Sequence, residues 1–562
     1  MAASRRATPR LLGACHLWYN ADMASAPSPS RWNGWILGLL VGVLTLEVVR
    51  AAWLCDDAYI TFRTVDNLTS GLGATWNPSE RVQVYTHPLW MLLLSAATWI
   101  LPSIYAVGLA LGLATSLAAA LVFARHVSGS LSGKALGLMA LIGSKAYVDY
   151  STSGLENPLV HLLLFATLCA AARLEDPRRN ALWVALGTAL IALTRMDLLV
   201  LLGPLLVTSL WRAGREAPRA LALGFAPLLA WEFISVLYYG FPFPNTAYSK
   251  LGSGLPAGEL AGQGLAYLAN SFANDPLTLL VIAAGIGAAL LKPDRISRPV
   301  ALGLALQLPY TVKIGGDFMS GRFLTPALAA AAFLLARAPW GARSAWIAFT
   351  FALGLALATE RSPLRASTAY GSEAPPPEHI DERGIADERA YWHHYTGLWS
   401  PSRKDLDKPH VTRGYRFGER LREQGPQVLV ANGMGFVGYF AGPEVHLVDP
   451  MGLGDALCAR LPIWRAGVLL APAENAFRER PWRIGHYYRQ LPEGYLESLE
   501  TGVLQIRDAS LAEYVRQLHL VTRGPLFDSA RLKTILNLNL LQEEHLIEEY
   551  LDRQSPPADP DH

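Results

Sequence analysis

The feature that most constrains this chain is a series of apolar runs that fills most of the sequence before residue 359. A helix needs roughly 20 apolar residues to cross a bilayer core, and runs somewhat shorter than this are still candidates. We therefore predict eleven membrane-spanning helices. They are Trp35–Trp53, Ile104–Phe123, Ala135–Val148, Leu159–Ala172, Ala181–Thr194, Leu198–Trp211, Ala220–Tyr239, Leu277–Leu291, Val300–Val312, Phe323–Ala336 and Ala345–Thr359.

Composition divides the 562-residue chain into a membrane part and an aqueous part. Charged residues are 17% of the sequence and hydrophobic residues 51%, whereas soluble domains average about 25% charged. The net charge of +2 gives no sign of a nucleic-acid partner. We expect a cytoplasmic tail at 1–33, a membrane domain at 34–359, a linker at 360–412 and an α/β domain at 413–562.

Loop charges predict how the chain lies in the membrane. With the N-terminus inside, every short inside loop carries Arg or Lys, as the positive-inside rule requires. These loops are Arg125–Lys134, Arg173–Asn180, Arg212–Arg219, Lys292–Pro299 and Arg337–Ser344. The α/β domain then lies outside. Pro88–Leu101 is predicted to be a re-entrant or interfacial helix, and Arg195-Met196-Asp197 either a functional pair or an ion pair that closes a broken helix.

The first outside loop, Leu54–Leu89, is dense in ionisable groups. If its start is helical, Asp56, Tyr59, Ile60 and Arg63 share one face. A carboxylate and a guanidinium on that face would suit an enzyme that holds a phosphate and takes a proton. An amphipathic surface helix that begins with two acids fits the same residues.

Further charged groups occur in the other outside motifs. Carboxylates stand at Asp56, Asp57, Glu156 and Asp317, cations at Arg63, Lys250, Lys313 and Arg322, and an imidazole at His87. Arginine grips phosphate oxygens in pairs and lysine adds a point charge. A carboxylate could deprotonate a hydroxyl or hold a divalent ion. No cysteine pair has metal-ligand spacing.

The aqueous part carries weaker signals. A helix (Tyr415–Glu423), strands (Gln427–Ala431, Val445–Val448 and Ala466–Ala471) and a polar helix (Asp528–Asp552) are predicted. Gly433, Gly435 and Gly438 fit G-x-G-x-x-G, but the short segment between the strands favours a glycine-rich turn over a dinucleotide site. The segment WRIGHYYRQLPEGY is aromatic and basic, which suits sugar stacking or lipid headgroups.

Together these motifs carry a family resemblance. DDAYITFR, YTHPLW, TSGLE, YYGFPFPNTAYSK, GGDFM-x-GRFL-x-P and WRIGHYYRQLPEGY resemble those of the AftB/ZomB-like membrane arabinofuranosyltransferases, over nearly the whole chain after residue 34. The resemblance implies a GT-C glycosyltransferase fold, a polyprenyl-phosphate sugar donor and an active site on the outer face of the bacterial inner membrane.

The implied function is transfer of a furanose, D-arabinofuranose in the family, to an envelope glycan or glycoprotein. Carried onto this chain, the first-loop acidic pair of the family is Asp56 and Asp57, the expected catalytic carboxylates. We expect Arg63, Lys250 and Arg322 to bind the donor phosphate, and sugar or acceptor to contact six further residues: His87, Tyr85, Glu156, Asn245, Asp317 and His486. A lipid-linked sugar transporter, or a non-catalytic envelope or flagellar protein, are the alternatives.

Overall fold

The computed structural model describes residues 31–101, 103–251, 254–291, 293–367, 376–400, 413–431, 433–463, 483–540 and 543–554. The predicted strand at Ala466–Ala471 and residues 1–30 of the predicted tail lie outside these ranges.

Every predicted span coincides with helix, although Ala135–Val148 is divided into two helices at Ser144. The helices of this part are α1 (Arg31–Arg50), α2 (Asp56–Thr69), α3 (Pro88–Ala97), α4 (Ile104–His126), α5 (Leu131–Gly143), α6 (Lys145–Asp149), α7 (Asn157–Arg173), α8 (Pro177–Ala192), α9 (Leu199–Ala213), α10 (Ala217–Tyr239), α11 (Asn245–Leu251), α12 (Ala257–Asn274), α13 (Pro276–Leu291), α14 (Ser297–Lys313), α15 (Thr325–Arg337) and α16 (Ala342–Ala358).

Some described helices are long and apolar enough to cross a membrane. They are α4 and the 44-residue stretch Met196–Tyr239, which contains two predicted spans, α9 and α10. A third candidate is the pair α12 and α13, which meet at a bend of 107°. The chain is therefore a helical, multi-pass membrane protein. The count of eleven spans stays a prediction, and α12 was not predicted.

The centre of the membrane part is α15, whose residues from Thr325 to Ala336 are all buried. It packs against α5, α7 and α13. Small residues allow this close approach, as they do between membrane helices generally. A Cβ on Gly285 of α13 would lie only 2.8 Å from the Cα of Ala331.

The chain breaks between α8 and α9, as the charged pair at Arg195 and Asp197 indicated. The Arg195 guanidinium donates to both Asp197 oxygens, at 3.0 and 2.7 Å. The predicted mutual ion pair at the broken helix is thus confirmed.

The C-terminal part is helical around a small sheet. Strands β1 (Gln427–Val430) and β2 (Val445–Val448) are parallel, and Gln427 is in register with Val445. The predicted single tail helix is instead two helices. The helices of this part are α17 (Glu388–Thr396), α18 (Arg413–Gln424), α19 (Phe436–Ala441), α20 (Tyr495–Thr501), α21 (Ala509–Arg523), α22 (Ser529–Asn539) and α23 (Glu544–Gln554).

Part of the predicted linker is packed against the membrane part. Asp387 precedes α17, and its carboxylate accepts a bond from Lys145 Nζ at 3.1 Å. Arg389 reaches the Asp149 carboxylate at 3.2 Å, and Lys145 lies 2.5 Å from the same residue. All four side chains are buried, so removing one partner would leave an uncompensated charge.

The glycine motif is a packing device between the two parts. A Cβ on Gly435 would overlap the backbone oxygen and carboxylate of Asp56, and one on Gly438 would lie 2.8 Å from the Trp76 ring. Only glycine permits α19 to come this close to α2. In the structure α19 lies in the connection between the parallel strands β1 and β2. This geometry fits the predicted glycine-rich turn.

We expect Gly435→Ala to destabilise the protein, because the added methyl group overlaps Asp56 and overpacking costs about 1–3 kcal/mol. The melting temperature in detergent should fall. Gly262→Ala in α12, where nothing lies within 4 Å of the new methyl group, is the matched control. Equal melting temperatures for the two variants would contradict this account of the contact.

Candidate functional site

The acidic pair opens α2, where negative charge is favoured by the helix dipole. Asp56 points to the C-terminal part, and its carboxylate accepts the backbone N–H of Phe436 at 2.7 Å. Tyr59, one turn later, packs against the Phe436 ring with centroids 4.4 Å apart. The predicted face of α2 exists, and it is a docking face.

Arg63 completes this docking face. Its guanidinium is buried and donates to the carbonyl oxygens of Trp76 at 2.7 Å, Gly438 at 2.5 Å and Val445 at 2.9 Å. The N–H groups of Arg63, which we expected to bind phosphate, are therefore already bonded to carbonyl oxygens. The prediction for Arg63 is therefore corrected on physical grounds: the side chain joins α2 to α19 and β2.

Asp57 lies on another side of α2 and is half-buried. No hydrogen bond or ion pair from the described part of the chain reaches its carboxylate. Burial raises its pKa, and the nearby charges of Lys250 and Arg322 oppose that rise. Asp317 and Arg483 also act on it. Asp57 is thus a carboxylate surrounded by charges of both signs.

Arg322 is held in this cluster by Asp317, whose Oδ2 accepts from its Nε at 2.6 Å. Burial, the largest single effect, lowers the pKa of Arg322, but the charges of Asp317, Glu156 and Asp57 together outweigh it and raise the pKa. The turn before Arg322 needs left-handed backbone at Gly315, Gly316 and Gly321. This explains the glycines of the GGDFMSGR motif.

Lys250 is the second predicted cation that lies in the cluster, at the end of α11. Burial lowers its pKa, while Asp57 and Asp317 raise it. Within the described ranges its ammonium forms no ion pair. A Cβ on Gly485 would lie 3.6 Å from the Lys250 Nζ, so the C-terminal part forms one wall of this site.

Two members of the cluster were missed by the sequence analysis. Glu388 begins α17 and is buried, and its Oε2 accepts from the Trp392 indole at 2.7 Å. Burial and the Asp57 charge raise the pKa of Glu388 to about 8. The positive charge of Arg483 acts on both Asp57 and Glu388. Its guanidinium carbon lies 5.1 Å from the Phe318 ring centroid. Glu388 lies in the segment that we predicted to be a linker, and Arg483 lies in the aromatic, basic segment WRIGHYYRQLPEGY.

A second group of charges lies beside the cluster and is linked to it through Arg322. His87 Nδ1 is 3.3 Å from a Glu156 oxygen, and its Nε2 is 2.9 Å from the Thr61 hydroxyl. Glu156 is also 4.0 Å from Arg195. Both predicted residues, His87 and Glu156, are buried.

The remaining predicted residues have other partners. The Tyr85 hydroxyl lies 2.6 Å from the Tyr239 hydroxyl. The Asn245 amide donates to the carbonyls of Gly452 and Asp455, both at 2.9 Å, so this side chain joins α11 to the C-terminal part.

His486 lies at the edge of the cluster. Its ring centroid is 4.6 Å from that of Phe318. Burial, and then Arg483, lower its pKa well below the ordinary value. Both effects favour the neutral form of the ring.

We find no group of three or more His, Cys, Asp or Glu side chains arranged around a metal position in the described ranges. The divalent cation at Asp56 and Asp57 stays a prediction.

Comparison with known proteins supports the resemblance. The chain is 30% identical over 324 residues to the terminal beta-(1->2)-arabinofuranosyltransferase of Mycobacterium tuberculosis, covering 48% of this chain and 50% of that protein. It is 27% identical over 321 residues to the protein of the same description from Corynebacterium glutamicum, covering 48% and 46%. The chain thus spans about half the length of the curated relatives that it matches.

No family model matches the chain. Among solved structures, arabinosyltransferase EmbB from Mycobacterium smegmatis aligns with a TM-score of 0.37 and 14% identity, over 56% of this chain and 31% of that chain. The sequence matches carry the relationship: the chain is a homologue of terminal arabinofuranosyltransferases, and the predicted resemblance is confirmed.

The raised pKa of Glu388 makes stability depend on pH. Since the folded state binds its proton more tightly than the unfolded state does, the stabilisation is complete below the ordinary Glu pKa and is lost as pH rises through about 8. Glu388→Gln, which keeps an acceptor for Trp392, should remove this loss. Between pH 6 and 9 the wild-type melting temperature should fall by on the order of 2 °C more than that of the variant. Parallel curves would contradict the assignment.

Proposed function

We propose that this chain, as a relative of the terminal arabinofuranosyltransferases, is a GT-C glycosyltransferase. It would move arabinofuranose from a polyprenyl-phosphate donor to an envelope glycan or glycoprotein, on the outer face of the bacterial inner membrane. The observation that carries this proposal is the position of Asp57, a half-buried carboxylate without a described partner, among three cations.

The charges around Asp57 match such a donor. Lys250, Arg322 and Arg483 are positive, and Asp57 and Asp317 are negative. Glu388 is neutral up to a pH of about 8. These three cations can pair with a negatively charged group of a ligand. A sugar linked to a polyprenyl phosphate is a phosphodiester with one negative charge, which arginine and lysine side chains bind.

In the proposed reaction Asp57 is the general base. The acceptor hydroxyl gives its proton to Asp57 as its oxygen attacks the anomeric carbon, and the bond from that carbon to the phosphate oxygen breaks. Polyprenyl phosphate leaves with a second negative charge, which Lys250 and Arg322 stabilise. The pKa of Asp57, raised by burial, suits a base that must accept a proton and later release it.

The neighbouring groups have positioning roles in this proposal. Because Glu388 is neutral, it does not repel the donor phosphate. Asp317 holds the Arg322 guanidinium in place. Asp56 acts through α19, because its carboxylate is bonded to Phe436. His87 and Glu156, linked to the cluster through Arg322, would orient the sugar or the acceptor.

The C-terminal part would position the acceptor. We propose that the membrane domain at 34–359 presents the cluster to the outer face, and that residues 413–562 form an extracytoplasmic domain over it. Two contacts support this arrangement. Phe436, at the start of α19, donates its backbone N–H to Asp56, and Gly485 lies close to the Lys250 ammonium.

We expect Asp57→Asn to reduce transfer by about 10²–10⁴-fold, the usual contribution of a general base. Transfer is measured in detergent from synthetic polyprenyl-phosphoryl arabinofuranose to a panel of arabinan and glycopeptide acceptors.

The matched control is Asp66→Asn, which changes an exposed acid on the same helix and should keep wild-type activity. Full activity in a folded Asp57→Asn protein would refute the assignment of Asp57. Product from another lipid-linked sugar, but none from arabinofuranose, would refute the donor sugar alone.

A further inference from the structure

Helix α22 and the residue that caps its end carry an exposed apolar stripe that the proposed reaction does not use. Leu532, Leu536 and Leu540 recur every four residues, at 39%, 61% and 66% exposure. This spacing places them on one side of the helix. Phe527, just before α22, is 77% exposed. Such a patch on a water-facing domain indicates an interaction surface.

A neighbouring side of α22 is fixed to the end of α10. Arg531 is fully buried and donates to the carbonyls of Leu237 at 2.8 Å and Tyr238 at 3.0 Å. Asn539 donates to the carbonyl of Gly240 at 2.8 Å. The last carbonyls of a helix have no partner within it, so these bonds attach α22 to the exposed end of α10.

This attachment fixes the depth of α22. Helix α10 has 23 residues and belongs to the long apolar stretch Met196–Tyr239. Only 22% of the residues in the most apolar part of that stretch are buried. Leu229, Phe233 and Ile234 stand exposed within its last three turns. A surface of this kind on a membrane helix faces lipid. The end of α10 is therefore at the bilayer boundary, and α22 is there too.

We propose that the Leu532–Leu536–Leu540 stripe of α22 is inserted into the headgroup region of the bilayer, beside the end of α10. The apolar surface of α10 then continues onto the C-terminal part, and the partner of the leucine stripe is the lipid surface. Interfacial helices bury an apolar face in this way while their polar side stays outside. Exposed Lys533, next to the stripe, can reach lipid phosphates. This anchor would hold the C-terminal part at a fixed height over the membrane, independently of the reaction catalysed.

The test is depth measurement on the full chain in phosphatidylcholine and phosphatidylglycerol nanodiscs. The Cys15→Ser background leaves only cysteines that are buried. Leu536→Cys is labelled with a nitrobenzoxadiazole fluorophore, and quenching is compared between lipids with a shallow doxyl group and aqueous iodide. Glu500→Cys, at an exposed polar position of α20, is the matched control.

At Leu536 we expect strong doxyl quenching and at least about threefold weaker iodide quenching than at Glu500. Iodide quenching equal to that of the control would overturn the proposal. Protection from both quenchers would overturn it too, since the stripe would then be covered by protein. Leu540→Cys repeats the measurement if Leu536→Cys fails to fold.

Discussion

The structure depends on the contact between α2 and the glycine-rich turn before α19. The Asp56 carboxylate accepts the Phe436 N–H, and Arg63 donates to carbonyls of α19 and β2. These bonds fix the rotation of α2 about its axis. Successive residues of an α-helix are about 100° apart, so a helix held through Asp56 turns Asp57 away from the contact and toward Lys250 and Arg322. One acid therefore holds the two parts together, and its neighbour points to the charged cluster that we propose as the active site.

Burial then determines the charge of the site. The dry surroundings raise the pKa of Asp57 and Glu388 and lower that of Lys250 and Arg483, because a charge is less stable away from water. The cations oppose the rise in the pKa of Asp57, whereas the Asp57 charge adds to the rise in the pKa of Glu388, to about 8. The result is a cluster in which Lys250, Arg322 and Arg483 act on the same carboxylate, Asp57.

Sequence reasoning predicted the parts of this arrangement that depend on local pattern. Apolar runs predicted eleven spans that all coincide with helix, although not α12, and the motifs that include Asp57, Lys250 and Arg322 were recognised as one constellation. It could not assign Arg63 or Asn245, because only the folded chain reveals that their partners are backbone carbonyls hundreds of residues later. Glu388 gave no signal at all. It lies in a stretch of mixed charge that resembles a linker, and its raised pKa depends on burial, which no spacing of residues records.

The central claim is that the charges around Asp57 bind the donor phosphate, and the most direct test is equilibrium binding of a non-reactive phosphonate analogue of the polyprenyl-phosphoryl sugar. In nanodiscs, Lys250→Met should weaken binding about tenfold or more, the loss of one charge-assisted contact to phosphate. Lys313→Met, which removes an exposed lysine at the end of α14, should bind as the wild-type protein does. Equal affinities for the wild-type protein and a folded Lys250→Met variant would contradict the account.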